Sequence, residues 1–244
     1  MGSQAVIGWH GKLPSLGDFA TRRLAPDLVS LWDGWLSAGL ARLQQAPDWP
    51  QAYLASPSWR FLLLPGALPG ALGLQSWAGV LMPSVDRVGR YYPLTLAQPL
   101  PGLPADGPGV QALWTWLLQL DEAAADALHE DWTVEQLEAE LQRLGQPAYR
   151  PVAPVADGPL LDPQALVQAL VPGDAPHTAA LLQAQAAGLW QQQMHGRSVW
   201  SAQPERGAAR HLCAQGLGGD ELLPCLLGGR AAPSSTIGAD NAFR

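Results

Sequence analysis

Between residues 58 and 100 three apolar runs, SWRFLLLPGAL, LQSWAGVLMP and RYYPLTLAQPL, follow one another across short joins rich in glycine and proline. Each run is short and is bounded by residues that break regular structure, so each reads as a buried strand. Short joins set such strands side by side and antiparallel. Pro93 falls inside the third run, which implies a bulge or an edge position there. A first strand is expected over residues 5–13, with SLGD as the turn after it, and two late strands over RSVWSA and ARHLCAQ.

Helical periodicity frames these strands. From Asp27 onward Leu28, Leu31, Trp32, Trp35, Leu36, Leu40 and Leu43 recur at three- and four-residue spacing, with Trp32 and Trp35 on one core-facing side. Val110, Leu113, Trp114, Leu117 and Leu118 mark a second helix running towards Ala127. A third begins at Thr133, whose spacing to Gln136 is a capping box, and stops near Gly145. HTAALLQAQAAGLWQQQ is helical by propensity, and a last helix covers residues 221–227. The expected fold class is α/β: a three-layer α-β-α sandwich around a mixed, largely antiparallel sheet.

The expected organisation is a domain over residues 1–146 and a connecting segment over 147–176, broken by seven prolines. Strands and helices of 177–230 follow and pack on the same sheet, since two short strands alone make no stable unit. A flexible tail covers 231–244.

Composition removes several classes of function. With 48% apolar and 14% charged residues the chain is globular, and eleven tryptophans favour cores and protein interfaces. No apolar run reaches the ~20 residues of a membrane span, and MGSQAVIGW lacks the features of a signal peptide or myristoylation site. Cys213 and Cys225 fit no zinc or redox spacing and read as two buried, reduced thiols of a cytoplasmic protein. Residues 121–140 hold eight acids and no Lys or Arg, the solvated face of helices, and this balance speaks against nucleic acid as a ligand.

The chemistry-bearing residues lie in two segments. GWHGKLPSLGDF contains Lys12, the only lysine, and Asp18, but it lacks the spacing and the Ser or Thr of a phosphate loop. GALPGALG is no dinucleotide fingerprint, and no nucleophile elbow, HExxH or recurring metal-ligand spacing occurs. The second segment is GVLMPSVDRVGRYYPLTLA, where Asp86 and Arg90 stand four apart with Arg87 between them. A helical turn over SVDRVGR would pair Asp86 with Arg90. Two readings stand: a loop braced by its own ion pair, or a polar recognition patch of Asp86, Arg87, Arg90 and the opening loop at the sheet's end.

GWHGKLPSLGDF, LWDGWL, SPSWRFLLLPG and GVLMPSVDRVGRYYPLTLA, in this order, closely resemble the TagF (ImpM) family of accessory proteins of bacterial type VI secretion systems. The resemblance covers residues 6–100 and, more loosely, the rest. It implies a longin- or profilin-like core and a cytoplasmic, non-enzymatic protein without cofactor or metal. It further implies post-translational restraint of the secretion machine through a forkhead-associated scaffold protein of the same system. Some members carry a fused metal-dependent Ser/Thr phosphatase, for which this chain has no room. Leu16 stands where the family often has arginine before GDF. Lys12, Asp18, Asp86, Arg87 and Arg90 are then a partner-binding patch and not catalysts. The rival from another class is a small hydrolase or phosphate- or metal-binding enzyme using Asp18 and Asp86; a purely structural subunit of the machine is a third reading.

Overall fold

The computed structural model describes residues 6–16, 18–151, 190, 192–203 and 208–228. The remainder of the Pro-rich segment, most of the helix expected over residues 177–193 and the tail from 231 lie outside the described residues. Seven strands form one sheet: β1 (Gly8–Gly11), β2 (Ala20–Arg22), β3 (Trp59–Leu63), β4 (Trp77–Met82), β5 (Leu94–Pro99), β6 (Arg197–Ala202) and β7 (Arg210–Gln215). Their order is β2-β1-β5-β4-β3-β6-β7. All six pairings are antiparallel, so the parallel component of the expected mixed sheet is missing among the described strands. Residues 12–19 lie between β1 and β2 and residues 83–93 between β4 and β5, and connections without a crossover element favour antiparallel neighbours.

Alternation along the strands divides the core in two. Trp59, Phe61 and Leu63 of β3, Trp77 and Leu81 of β4, and Trp200 of β6 face helices α1 (Pro26–Leu43) and α5 (Gly219–Leu227). Trp9 of β1, Val80 and Met82 of β4, and Leu94 and Leu96 of β5 face α3 (Gly107–His129) and α4 (Val134–Leu144). Helices therefore cover both faces, giving the three-layer sandwich. Buried indoles tie layers together by their N–H groups as well as by area: Trp32 donates to Thr95 Oγ1 of β5 at 2.8 Å, and Trp59 donates to the Leu226 carbonyl of α5 at 2.8 Å.

The capping box at Thr133 and Gln136 is formed, and Gly145 closes α4. Other expectations are corrected. Pro93 precedes the first residue of β5, where no ladder N–H is lost, and β5 lies in the sheet interior and not at an edge. Residues 85–91 form no helical turn but a tight hairpin loop bridged at Val85 and Tyr91. Cys225 is buried, whereas Cys213 is exposed on edge strand β7. Two short elements have no clear sequence signal: β2, and α2 (Trp49–Leu54), whose helix opens on a proline. Among the described residues no helix is long and apolar enough to cross a membrane.

Antiparallel pairing brings two loops to one end of the sheet. Gly11 at the end of β1 is next to Ala20, and His10 pairs with Thr95 near the start of β5. Leu94 in turn pairs with Met82 at the end of β4. The β1–β2 loop (12–19) and the β4–β5 loop (83–93) thus leave the sheet at the same end.

Two glycines of α1 give a paired test of its packing. A Cβ at Gly39 would lie 2.5 Å from Leu223 Cβ of α5, while nothing lies within 4 Å of one at Gly34. Alanine favours a helix interior over glycine by about 0.5–1 kcal/mol at either position. We expect Gly34→Ala to raise the melting temperature by about 1–3 °C and Gly39→Ala to lower it, by calorimetry. Equal gains at both positions would contradict close α1–α5 contact.

Candidate functional site

Gly11, at φ 132°, ends β1 with its backbone against Pro93 and delivers Lys12 under the β4–β5 loop. Lys12 is 2% exposed and the Asp86 side chain is fully buried. Lys12 Nζ donates to Asp86 Oδ2 at 2.8 Å, and Arg90 Nε donates to the same oxygen at 2.6 Å. The other oxygen, Oδ1, accepts the backbone N–H groups of Val88 at 3.0 Å and Arg90 at 2.9 Å. Asp86 N donates to the Arg90 carbonyl and Gly89 N to the Asp86 carbonyl, with Gly89 at φ 81° to make the reversal. The 85–91 loop is wound around one carboxylate.

Burial by itself would raise the Asp86 pKa, but the hydrogen bonds from Lys12, Arg90 and Val88 outweigh it and hold the carboxyl well below the usual carboxylate range. Four donors occupy both its oxygens. Proton transfer or metal ligation by Asp86 would have to displace one of them.

Around this pair the chain adds supports that spacing does not reveal. Ser84 Oγ donates to the Lys12 carbonyl at 2.9 Å, and the Tyr53 hydroxyl of α2 bridges the Ser84 carbonyl and amide at 3.1 and 3.0 Å. Phe19 lies over Lys12, 4.6 Å from ring centroid to Nζ, and meets Tyr92 edge to face at 4.7 Å. Tyr92 donates to Asp33 Oδ1 at 2.6 Å. His10 Nε2 then donates to the Tyr92 oxygen at 3.3 Å, and Nδ1 accepts from Thr21 Oγ1 at 2.7 Å. Burial lowers the His10 pKa against the pull of Asp33, so this ring is a neutral structural bridge.

The five residues singled out in the sequence therefore divide into two kinds. Lys12 and Asp86 are inward and joined. Arg90 is half exposed with its Nε on Asp86, while Arg87 and Asp18 are exposed. Asp18 Oδ1 accepts the N–H of Phe19 at 2.8 Å, a local turn contact. Leu16 packs against the α3–α4 core, an apolar role that an arginine would not fill in the same way. Among the described residues no group of three or more His, Cys, Asp or Glu side chains is placed to hold a metal ion.

Removing one member of a buried pair strands the other. Lys12→Met should lower the melting temperature by roughly 10 °C at neutral pH. The Asp86 carboxyl titrates lower in the folded than in the unfolded chain, so the unfolded chain binds more protons between the two values. Its contribution is complete above about pH 4 and is lost as pH falls through the folded value. Thermal melts of wild type and Asp86→Asn should differ most at pH 6–7, and the difference should narrow steadily as pH falls from about 4 towards 2. A difference that stayed constant from pH 7 to about 2 would contradict the assignment.

The same chain segments carry a family likeness. The model of the TagF N-terminal domain, type VI secretion system-associated, matches residues 8–144. The crystal structure of PA0076 from Pseudomonas aeruginosa PAO1 is similar over the full fold, with a TM-score of 0.70 and 30% identity, covering 95% of this chain and 98% of that one. No curated protein matches. The matched segment holds β1 to α4 and with them both loops of the Lys12–Asp86 site, and on this ground the chain belongs to the TagF family of type VI secretion system-associated proteins.

Proposed function

We propose that this TagF-family protein is a non-enzymatic, cytoplasmic repressor of a type VI secretion system that acts after translation by binding a forkhead-associated scaffold protein. The observation that carries this reading is the use of Asp86: its oxygens are spent on Lys12, Arg90 and two backbone amides, and the result is a rigid loop that turns Arg87 outward. A group so occupied serves shape. Arginine held on a fixed backbone suits planar recognition of a partner's carboxylates, at small entropic cost. In this reading Arg87, Arg90 and Asp18 form the contact face, and Lys12 and Asp86 hold it. The scaffold as partner follows from the family resemblance of the loop sequences, and the match to a type VI secretion-associated domain supports it.

Arg87→Glu tests the face without touching the buried pair. The variant should melt within about 2 °C of wild type, as exposed substitutions do. It should recover the scaffold at least tenfold less efficiently in affinity purification from its own cells, and secretion into the medium should rise. Full recovery and full repression by this variant would remove the loop from the contact.

A further inference from the structure

Beside the loop lies a cleft of about 810 Å³, at the end of the sheet where β4 and β6 finish and β3 begins. Its walls are Leu54 and Pro57 before β3, Met82 at the end of β4 and Val85 after it, and Leu128 in the last turn of α3. Among the described residues no Asp, Glu, Lys or Arg lines it. Three serines do, and two of them turn the hydroxyl proton away to an acceptor of the chain: Ser56 to the Ala52 carbonyl and Ser84 to the Lys12 carbonyl. A charged metabolite would find no carboxylate, ammonium or guanidinium counter-ion here, and beside Ser58, His129 and Gln203 nine of the fourteen lining residues are Ala, Leu, Met, Pro or Val. What the walls do accept is apolar side-chain surface, and Leu54 is already 58% exposed at the mouth.

The cleft and the loop share a wall. Val85 lines the cleft and bridges to Tyr91, and the next residues out along the hairpin are Asp86 and the exposed Arg87. Past Val85 the same hairpin carries Arg87 and Arg90 and an exposed Val88. We infer that the cleft is the anchor pocket for the protein partner: it takes apolar side chains of one extended segment, whose flanking carboxylates lie on Arg87 and Arg90. This inference rests on the proposed reading of the loop and adds to it the site that supplies most of the affinity. Apolar anchors in a pocket outweigh rim charges in interfaces of this kind.

The test introduces the photo-crosslinking residue p-benzoylphenylalanine into the full chain in its own cells, singly at Leu54, Leu128, Arg87 and Val110. Val110 is exposed on the first turn of α3, about 22 Å along the helix from Ala125, the nearest cleft residue of that helix, and is the control. We expect Leu54, Leu128 and Arg87 to capture the same partner through one segment, apolar where it meets Leu54 and Leu128 and carrying Asp or Glu where it meets Arg87. Leu54→Asp should weaken capture at Arg87 at least tenfold with the melting temperature within about 2 °C. Capture at Arg87 alone would overturn the cleft while leaving the loop's role standing. Cleft capture with Arg87 silent, or of a segment without carboxylates, would overturn the acidic flank and with it the loop's role. Cross-links within the chain, to a second copy of it, or nowhere would overturn the cleft assignment outright.

Discussion

A buried lysine and a buried aspartate, 74 residues apart in sequence and 2.8 Å apart at their contact, set the shape of the loop end of this sheet. Taking two such charges out of water is costly, and their attraction offsets this only when the remaining lone pairs are also filled. Here they are filled by Arg90 and two amides of the same loop. The carboxylate therefore does two tasks together: it fixes the winding of residues 85–91, and it fixes that loop to the end of β1. Ser84, Tyr53, Phe19 and Tyr92 then pack or bond around a position already determined.

That arrangement depends in turn on the sheet. Lys12 can reach Asp86 because β1 lies beside β5 and β5 beside β4, which brings two sequence-distant turns to one end. Tryptophan supplies much of the rigidity behind it. Trp32, Phe61 and Trp200 stack within 6.3 Å of one another across α1, β3 and β6, and Trp116 donates to the Gly145 carbonyl at 2.9 Å to join α3 to the end of α4. An indole fills volume as a hydrophobe does but has a donor to place, so each buried one narrows the permitted packing further.

Much of this is legible in the amino-acid sequence because it is decided locally. The leucine and tryptophan periodicity of α1, the Thr133–Gln136 box, the strand runs and the Asp86–Arg90 pair are all set by neighbours within a few residues. Position in the sheet is not of that kind. Pro93 reads as an interruption because its run continues on both sides, yet register starts β5 just after it. Cys213 reads as buried by residue type and lies exposed on an edge strand. Lys12 and Asp86 belong to one patch, as their segments suggest, but the burial of Lys12 under Phe19 comes from a topology that no spacing encodes. The cleft draws on α2, β4, α3 and the residue after β6, and so has no linear signal at all.

Among the described residues the Lys12–Asp86 pair, with Arg90 and two backbone amides on the same carboxylate, has the geometry of a brace. The most direct test is amide hydrogen exchange at Val88 and Arg90, whose N–H groups donate to Asp86 Oδ1. If the carboxylate holds the loop, both amides are protected in the wild type at neutral pH and exchange freely in Asp86→Asn, while the amides of β4 and β5 stay protected in both. Rapid exchange of Val88 and Arg90 in the wild type would show a loop that the pair does not hold, and would contradict the account at its base.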